Sequence, residues 1–175
     1  VHVTRSFLPL LKRGSRSHIV NLSSIYGYAA AKQRSAYCVS KAAVRSLSES
    51  LRQELREWGV GVTTVLPGMV ATNITRGGRG WKCPEEQKRA AWITETKAPT
   101  DPEQAARQII RGIQAGKRKV IIGPDAWLLA ILAYLFPGYY DRIINFFVVK
   151  MERRLGRRMP EKSLEAEVGR RKDRA

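Results

Sequence analysis

The sequence predicts an α/β protein built on a doubly wound parallel sheet. Three observations predict it. Short β-branched apolar runs, His18–Leu22 (HIVNL), 62–66 (VTTVL) and Lys119–Ile122 (KVII), alternate with longer helical patterns. The runs are apolar enough to be buried strands, as parallel sheets demand. A stop signal follows each: Ser23-Ser24, Pro67-Gly68 and Gly123-Pro124.

The elements follow in order. Val3, Phe7, Leu10 and Leu11 recur at helical spacing, so residues 1–13 read as the end of a helix. Gly14 and the Ser/Arg cluster behind it make a turn into the first strand. Residues 35–58 form a long helix, with Val44, Leu47, Leu51, Leu55 and Trp58 on one stripe and Gly59 and Gly61 ending it. The second strand leads to 73–100, a loop-like stretch with Gly77, Gly78, Gly80 and Pro84 and a short helix at 85–93. Thr100 and Glu103 form a capping box with Pro102 in the first turn. The helix they open carries Ala105, Ile109, Ile110 and Ile113 on one face and ends near Gly116, before the third strand. Residues 1–124 read as one domain and 125–175 as an apolar and basic helical tail. Val1 falls inside a helix, so more chain is expected upstream.

Composition narrows the function. Apolar residues at 43% and charged residues at 27% are those of a globular protein. Cys38 and Cys83 stand in no CxxC pair and near no histidine, which excludes a disulfide scaffold and a metal site and suits reduced thiols in the cytoplasm. His2 and His18 receive no role. The net charge is +17, concentrated towards the end. No helix-turn-helix or RNA-binding aromatic motif accompanies it, so no nucleic acid is expected. The tail holds two apolar runs, 126–136 and 143–149, the second followed by Lys150, Arg153, Arg154, Arg157 and Arg158. Neither run has the roughly 18–20 residues that span a bilayer. They either pack on protein or dip into one leaflet above anionic head groups.

Ligands in open parallel sheets bind beyond the carboxyl ends of the strands. Ser24 follows the first strand, and Tyr37 and Lys41 lie one turn apart at the start of the long helix, on a shared face. Carbonyl reduction needs a proton donor beside a hydride donor. A tyrosine can supply the proton, a nearby ammonium favours its ionised form, and a serine hydroxyl can hold the substrate oxygen. Tyr-x-x-x-Lys alone is a weak signal; its setting among strand, serine pair, long helix, strand, Pro-Gly and Thr is a specific one.

In this setting the sequence resembles the short-chain dehydrogenase/reductase family. Ile19-Val20-Asn21-Leu22-Ser23-Ser24 with Gly27 is similar to its serine segment. Tyr37-Cys38-Val39-Ser40-Lys41-Ala42-Ala43 is similar to its tyrosine–lysine segment, and Pro67-Gly68-Met69-Val70-Ala71-Thr72 to its loop over the nicotinamide. The resemblance covers roughly 1–124. It implies a Rossmann-like fold whose N-terminal strands are missing from this chain, and an NAD- or NADP-dependent oxidoreductase acting on a small carbonyl or alcohol, a lipid or steroid among the options. Ser24 would orient the substrate oxygen and Tyr37 would be the acid/base. Tyr37 and Lys41 would also bind the cofactor, Lys41 by bonding the nicotinamide ribose while it assists the tyrosine. Pro67, Gly68, Val70 and Thr72 would border the nicotinamide. The helices at 1–13 and 35–58 would form the interface of a homodimer or homotetramer.

The glycine-rich cofactor loop and the active-site asparagine do not occur here, and Arg76-Gly77-Gly78-Arg79-Gly80 is no substitute. The 175 residues alone are therefore expected to be inactive. By the same resemblance the stretch around Arg76-Gly77-Gly78-Arg79-Gly80 looks like the family's substrate loop, a lid in which Trp81 and Trp92 would line a pocket or simply pack. The competing readings are a non-catalytic binding protein on the same scaffold, or a membrane-surface module.

Overall fold

The computed structural model describes residues 1–32, 34–78 and 84–146. The order is α1 (His2–Arg13), β1 (His18–Leu22), α2 (Ser35–Glu54), β2 (Gly61–Pro67), α3 (Pro84–Lys97), α4 (Pro102–Gln114), β3 (Lys119–Ile122) and α5 (Pro124–Leu135). The strands pair in parallel in the order β1-β2-β3, with Val20 opposite Thr63 and Val65 opposite Val120. This is the Rossmann-like arrangement that the alternation implied.

Side chains alternate between the two faces of a strand, and β2 uses both. Val62 joins Ile19, Leu51, Leu55 and Val60, with Leu8, Leu11 and Leu47 packed against them, so α1 and α2 cover that face. Val65 points the other way and joins Val120, Ile122 and Ala105, with Ile109 alongside, so α4 covers this one. Each fully buried Val or Leu contributes roughly 1.5–3 kcal/mol. Val20 and Leu22 of β1 were expected to be buried and are exposed. They point to the α4 side, and α4 packs chiefly on β2 and β3.

Three boundaries differ from expectation. The long helix stops at Glu54, tightens into a 3-10 turn over Arg56–Trp58 and reverses at Gly59 (φ 66°). α3 is longer than 85–93. Gln87 donates to the carbonyls of Thr75, Arg76 and Gly78, and Thr75 donates to Thr94, so the preceding loop supports the helix along its length. α4 is capped by Asp101, whose carboxylate accepts Gln104 N–H at 2.7 Å. Thr100 is buried and pairs instead with Val70 in a parallel bridge, which takes it out of contention as the cap.

The chain divides into two compact units, Val1–Pro137 and Gly138–Ala175. In the second, residues 140–146 are helical, and the N–H groups of Arg142 and Ile143 both donate to the Tyr139 carbonyl. Part of the second apolar run, the basic cluster from Lys150, Trp81 and Cys83 lie outside the described residues. Among the described residues no helix is long and apolar enough to cross a membrane, and no cluster of three metal-ligating side chains occurs.

Candidate active site

Two loops leave the sheet side by side at its carboxyl edge. The Ser23 N–H donates to the Val65 carbonyl at 2.9 Å, so the loop after β1 starts against the end of β2. Ser24 is extended (φ −162°, ψ 161°) and caps a 3-10 turn, Ile25–Gly27. Its hydroxyl accepts Tyr26 N–H at 3.2 Å, and the residue is only 6% exposed.

The turn then meets α2. A Cβ on Gly27 would lie 2.7 Å from the Lys41 carbonyl oxygen and 2.8 Å from its carbon, closer than real Cβ atoms come. Only glycine lets the turn approach so near. Ser23 Oγ donates to that same carbonyl at 2.7 Å, and Arg45 Nε donates to the Gly27 carbonyl at 3.0 Å. Ser23 thus serves structure, tying the turn to the helix.

Tyr37 and Lys41 project from the first turns of α2. Lys41 Nζ stands 5.7 Å from the centre of the Tyr37 ring and donates to the Leu22 carbonyl at 3.2 Å. The ammonium is thus held between the last residue of β1 and the phenol. Tyr37 is 43% exposed, open to an incoming ligand. Its ring meets Tyr26 edge-on, at 6.5 Å between centroids and 78° between planes. Tyr26 therefore links Ser24, through its N–H, to Tyr37, through its ring. Burial pushes the Tyr26 phenol above its usual range; Arg34 opposes this, and Asp125 adds to it. Tyr26 consequently stays protonated and is no base.

The second loop carries Pro67, Gly68, Val70 and Thr72. Gly68 N–H donates to the Ile122 carbonyl at 2.8 Å, Ala71 N–H to the Thr100 carbonyl at 2.9 Å, and Thr72 N–H to the Val70 carbonyl at 2.8 Å. The segment is thereby tied to β3 and to the start of α4. Asp125 adds a further tie, accepting Met69 N–H at 2.6 Å. Sequence reasoning missed Asp125; its only signal was a lone acid at the head of an apolar run.

Elsewhere the expected bland roles hold. His18 Nε2 lies 2.9 Å from Thr63 Oγ1, whose own proton goes to the Lys117 carbonyl, so the imidazole donates. Cys38 is a free, buried thiol.

Residues 1–82 match the family model for short chain dehydrogenase. The protein named SadH of Mycobacterium tuberculosis is 34% identical over 152 residues, covering 86% of this chain and 55% of SadH. A short chain dehydrogenase from Burkholderia cenocepacia, solved in complex with NADP, superposes with a TM-score of 0.60 at 25% identity, over 77% of this chain and 49% of that one. A short chain dehydrogenase/reductase from Burkholderia phymatum, in complex with NAD, gives a TM-score of 0.66 at 23% identity, over 76% and 52%. The chain thus spans about half the length of each of these three proteins.

Proposed function

The chain belongs to the short-chain dehydrogenase/reductase family, and from that premise we propose that its protein interconverts a carbonyl and an alcohol with NAD or NADP. Tyr37 is the acid/base, Lys41 its cationic partner and Ser24 the group that orients the substrate oxygen. The observation that carries this reading is the Lys41 ammonium lodged between the Leu22 carbonyl and the exposed Tyr37 ring, beside the serine turn.

The donor set suits a nicotinamide ribose. The Lys41 ammonium has three N–H donors, and the Leu22 carbonyl takes one. The two that remain can donate to ribose hydroxyls, and Pro67, Gly68, Val70 and Thr72 border the ring. A bound nicotinamide would supply or accept the hydride. Tyr37 gives a proton to the substrate oxygen in reduction and takes it back in oxidation, while the positive charge of Lys41 favours the phenolate formed in between. Ser24 Oγ already accepts Tyr26 N–H, so its own proton is left to hold the substrate oxygen within reach of Tyr37. The half-buried, protonated Tyr26 meets the Tyr37 ring edge-on, and Tyr37 itself stays exposed to substrate.

The test is Tyr37→Phe in the full-length protein. Turnover should fall by roughly 10²–10⁴ while cofactor binding, followed by nicotinamide fluorescence, is largely kept. Retained turnover rules out the acid/base role. The 175 residues expressed alone, without a glycine-rich loop, should not bind NADPH tightly; tight binding contradicts this part of the reading.

Two partners belong to the proposal. Val3, Phe7 and Leu10 on α1 and Val39 on α2 are exposed, which supports a homodimer or homotetramer through those helices. On α5, Trp127, Leu128, Ile131, Tyr134 and Leu135 recur on one exposed face. That apolar stripe favours a second reading, of peripheral membrane contact and a lipid-like or steroid-like substrate.

A further inference from the structure

Asp125 lies in the first turn of α5, and the backbone around it is cut to fit a carboxylate. Its Oδ2 accepts Met69 N–H. A Cβ on Gly68 would collide with the carboxylate, and one on Gly123 would sit 2.5 Å from Oδ1 and 2.9 Å from Thr100 Oγ1. Gly123 is also in the left-handed region (φ 93°). Two glycines, one after β2 and one after β3, thus leave the space that this one side chain fills.

The second oxygen makes the arrangement costly. Oδ1 is buried with no hydrogen-bond partner among the described residues. A buried acceptor left unmade loses its hydration without return. Stability alone would favour a small apolar side chain here. What the carboxylate gains is control of Met69 N–H, in the middle of the loop that carries Pro67, Gly68, Val70 and Thr72.

We propose that Asp125 is a positioning residue for the reaction: by gripping Met69 N–H it fixes the path of the 67–72 loop and hence the seat of the nicotinamide. The inference rests on the reading of that loop as the nicotinamide border. Asp125 touches neither the substrate nor the reacting atoms; it acts through the loop.

Steady-state kinetics and thermal unfolding of full-length Asp125→Ala and Asp125→Asn test it, with Tyr37→Phe alongside. Loss of one charge-assisted bond should raise the cofactor KM of Asp125→Ala roughly tenfold. The carbonyl-substrate KM and the pH profile of kcat should not move, and Tm should be unchanged or raised. Asp125→Asn keeps an acceptor for Met69 N–H and should recover most of the cofactor KM. An unchanged cofactor KM in Asp125→Ala, or an Asn variant as impaired as Ala, overturns the proposal. Should the Ala variant fail to fold, Gly68→Ala breaks the contact from the other side, and an unchanged cofactor KM there overturns it equally. Full turnover in Tyr37→Phe sinks the acid/base reading instead, and the Asp125 result is still read in cofactor KM.

Discussion

The hydroxyl of Ser23 donates to the backbone carbonyl of Lys41 at 2.7 Å, and Gly27 presses against the same peptide. The turn that carries Ser24 and the helix that carries Tyr37 are therefore fastened there, and again by Arg45 on the Gly27 carbonyl, a few residues from each functional side chain. Relative motion of the proposed hydroxyl and phenol is limited by this clasp rather than by any bond between them.

Gly27→Ala should pry the clasp open. The added methyl meets backbone, which cannot rotate away, so overpacking of about 1–3 kcal/mol is expected. Thermal unfolding should show it. Turnover of the folded fraction should drop further than in Ser23→Ala, which removes one hydrogen bond and leaves the approach intact.

Lys41→Met should lower kcat by roughly 10²–10⁴ and also weaken cofactor binding. Tyr37→Phe should lower chiefly kcat and leave cofactor binding largely intact. Comparing kcat and cofactor KM for the two variants separates a residue that serves both steps from one that serves proton transfer. A Lys41→Met variant with normal cofactor KM removes the ribose contact from the scheme.

Stability should fall in two steps as pH is lowered. Burial, with Arg52 adding to it, holds the His18 imidazole below its ordinary 6.5. The folded chain then resists a proton that the unfolded chain accepts. Stability is full above 6.5, declines as pH falls through that value, and levels off below the folded-state pKa. Glu49 and Glu95 are held below the usual 4.5, chiefly by hydrogen bonds from Lys119 and Arg76. Their contribution is present above 4.5 and is lost as pH falls through their lowered values. In a series of melting curves, His18→Gln should erase the upper step and spare the lower.

Gly112 of α4 faces the Val120 side chain so closely that a Cβ would collide with Cγ2. Gly112→Ala should therefore destabilise by about 1–3 kcal/mol despite the better helix propensity of alanine. Val120→Ala alone should cost about as much through the cavity it leaves. The double variant should lose clearly less than the sum of the two in denaturant unfolding.

Flotation with anionic liposomes checks the exposed face of α5. Salt-sensitive association that weakens in Trp127→Ser/Leu128→Ser/Ile131→Ser supports membrane contact. Absence of binding at low salt assigns that face to protein.

Much of the frame was legible because burial leaves a period in the sequence. β1 and β3 begin and end where their β-branched runs do. The Tyr37–Lys41 pair was readable because helical geometry fixes what lies one turn away. What could not be read depends on partners distant in the chain. Thr100 looked like a cap and became half of a bridge with Val70, thirty positions earlier. α3 outgrew its weak pattern because Gln87 ties it to the loop before it. Asp125 had no local signature, since its meaning lies in two glycines on different loops.

Val20 and Leu22 carry a practical consequence. They leave apolar surface bare on a strand that, among the described residues, pairs along one edge only. Such a ledge invites another strand or another copy of the polypeptide to settle on it. Clumping in the test tube, before any question of chemistry arises, is the first behaviour to watch for when these 175 residues are purified by themselves.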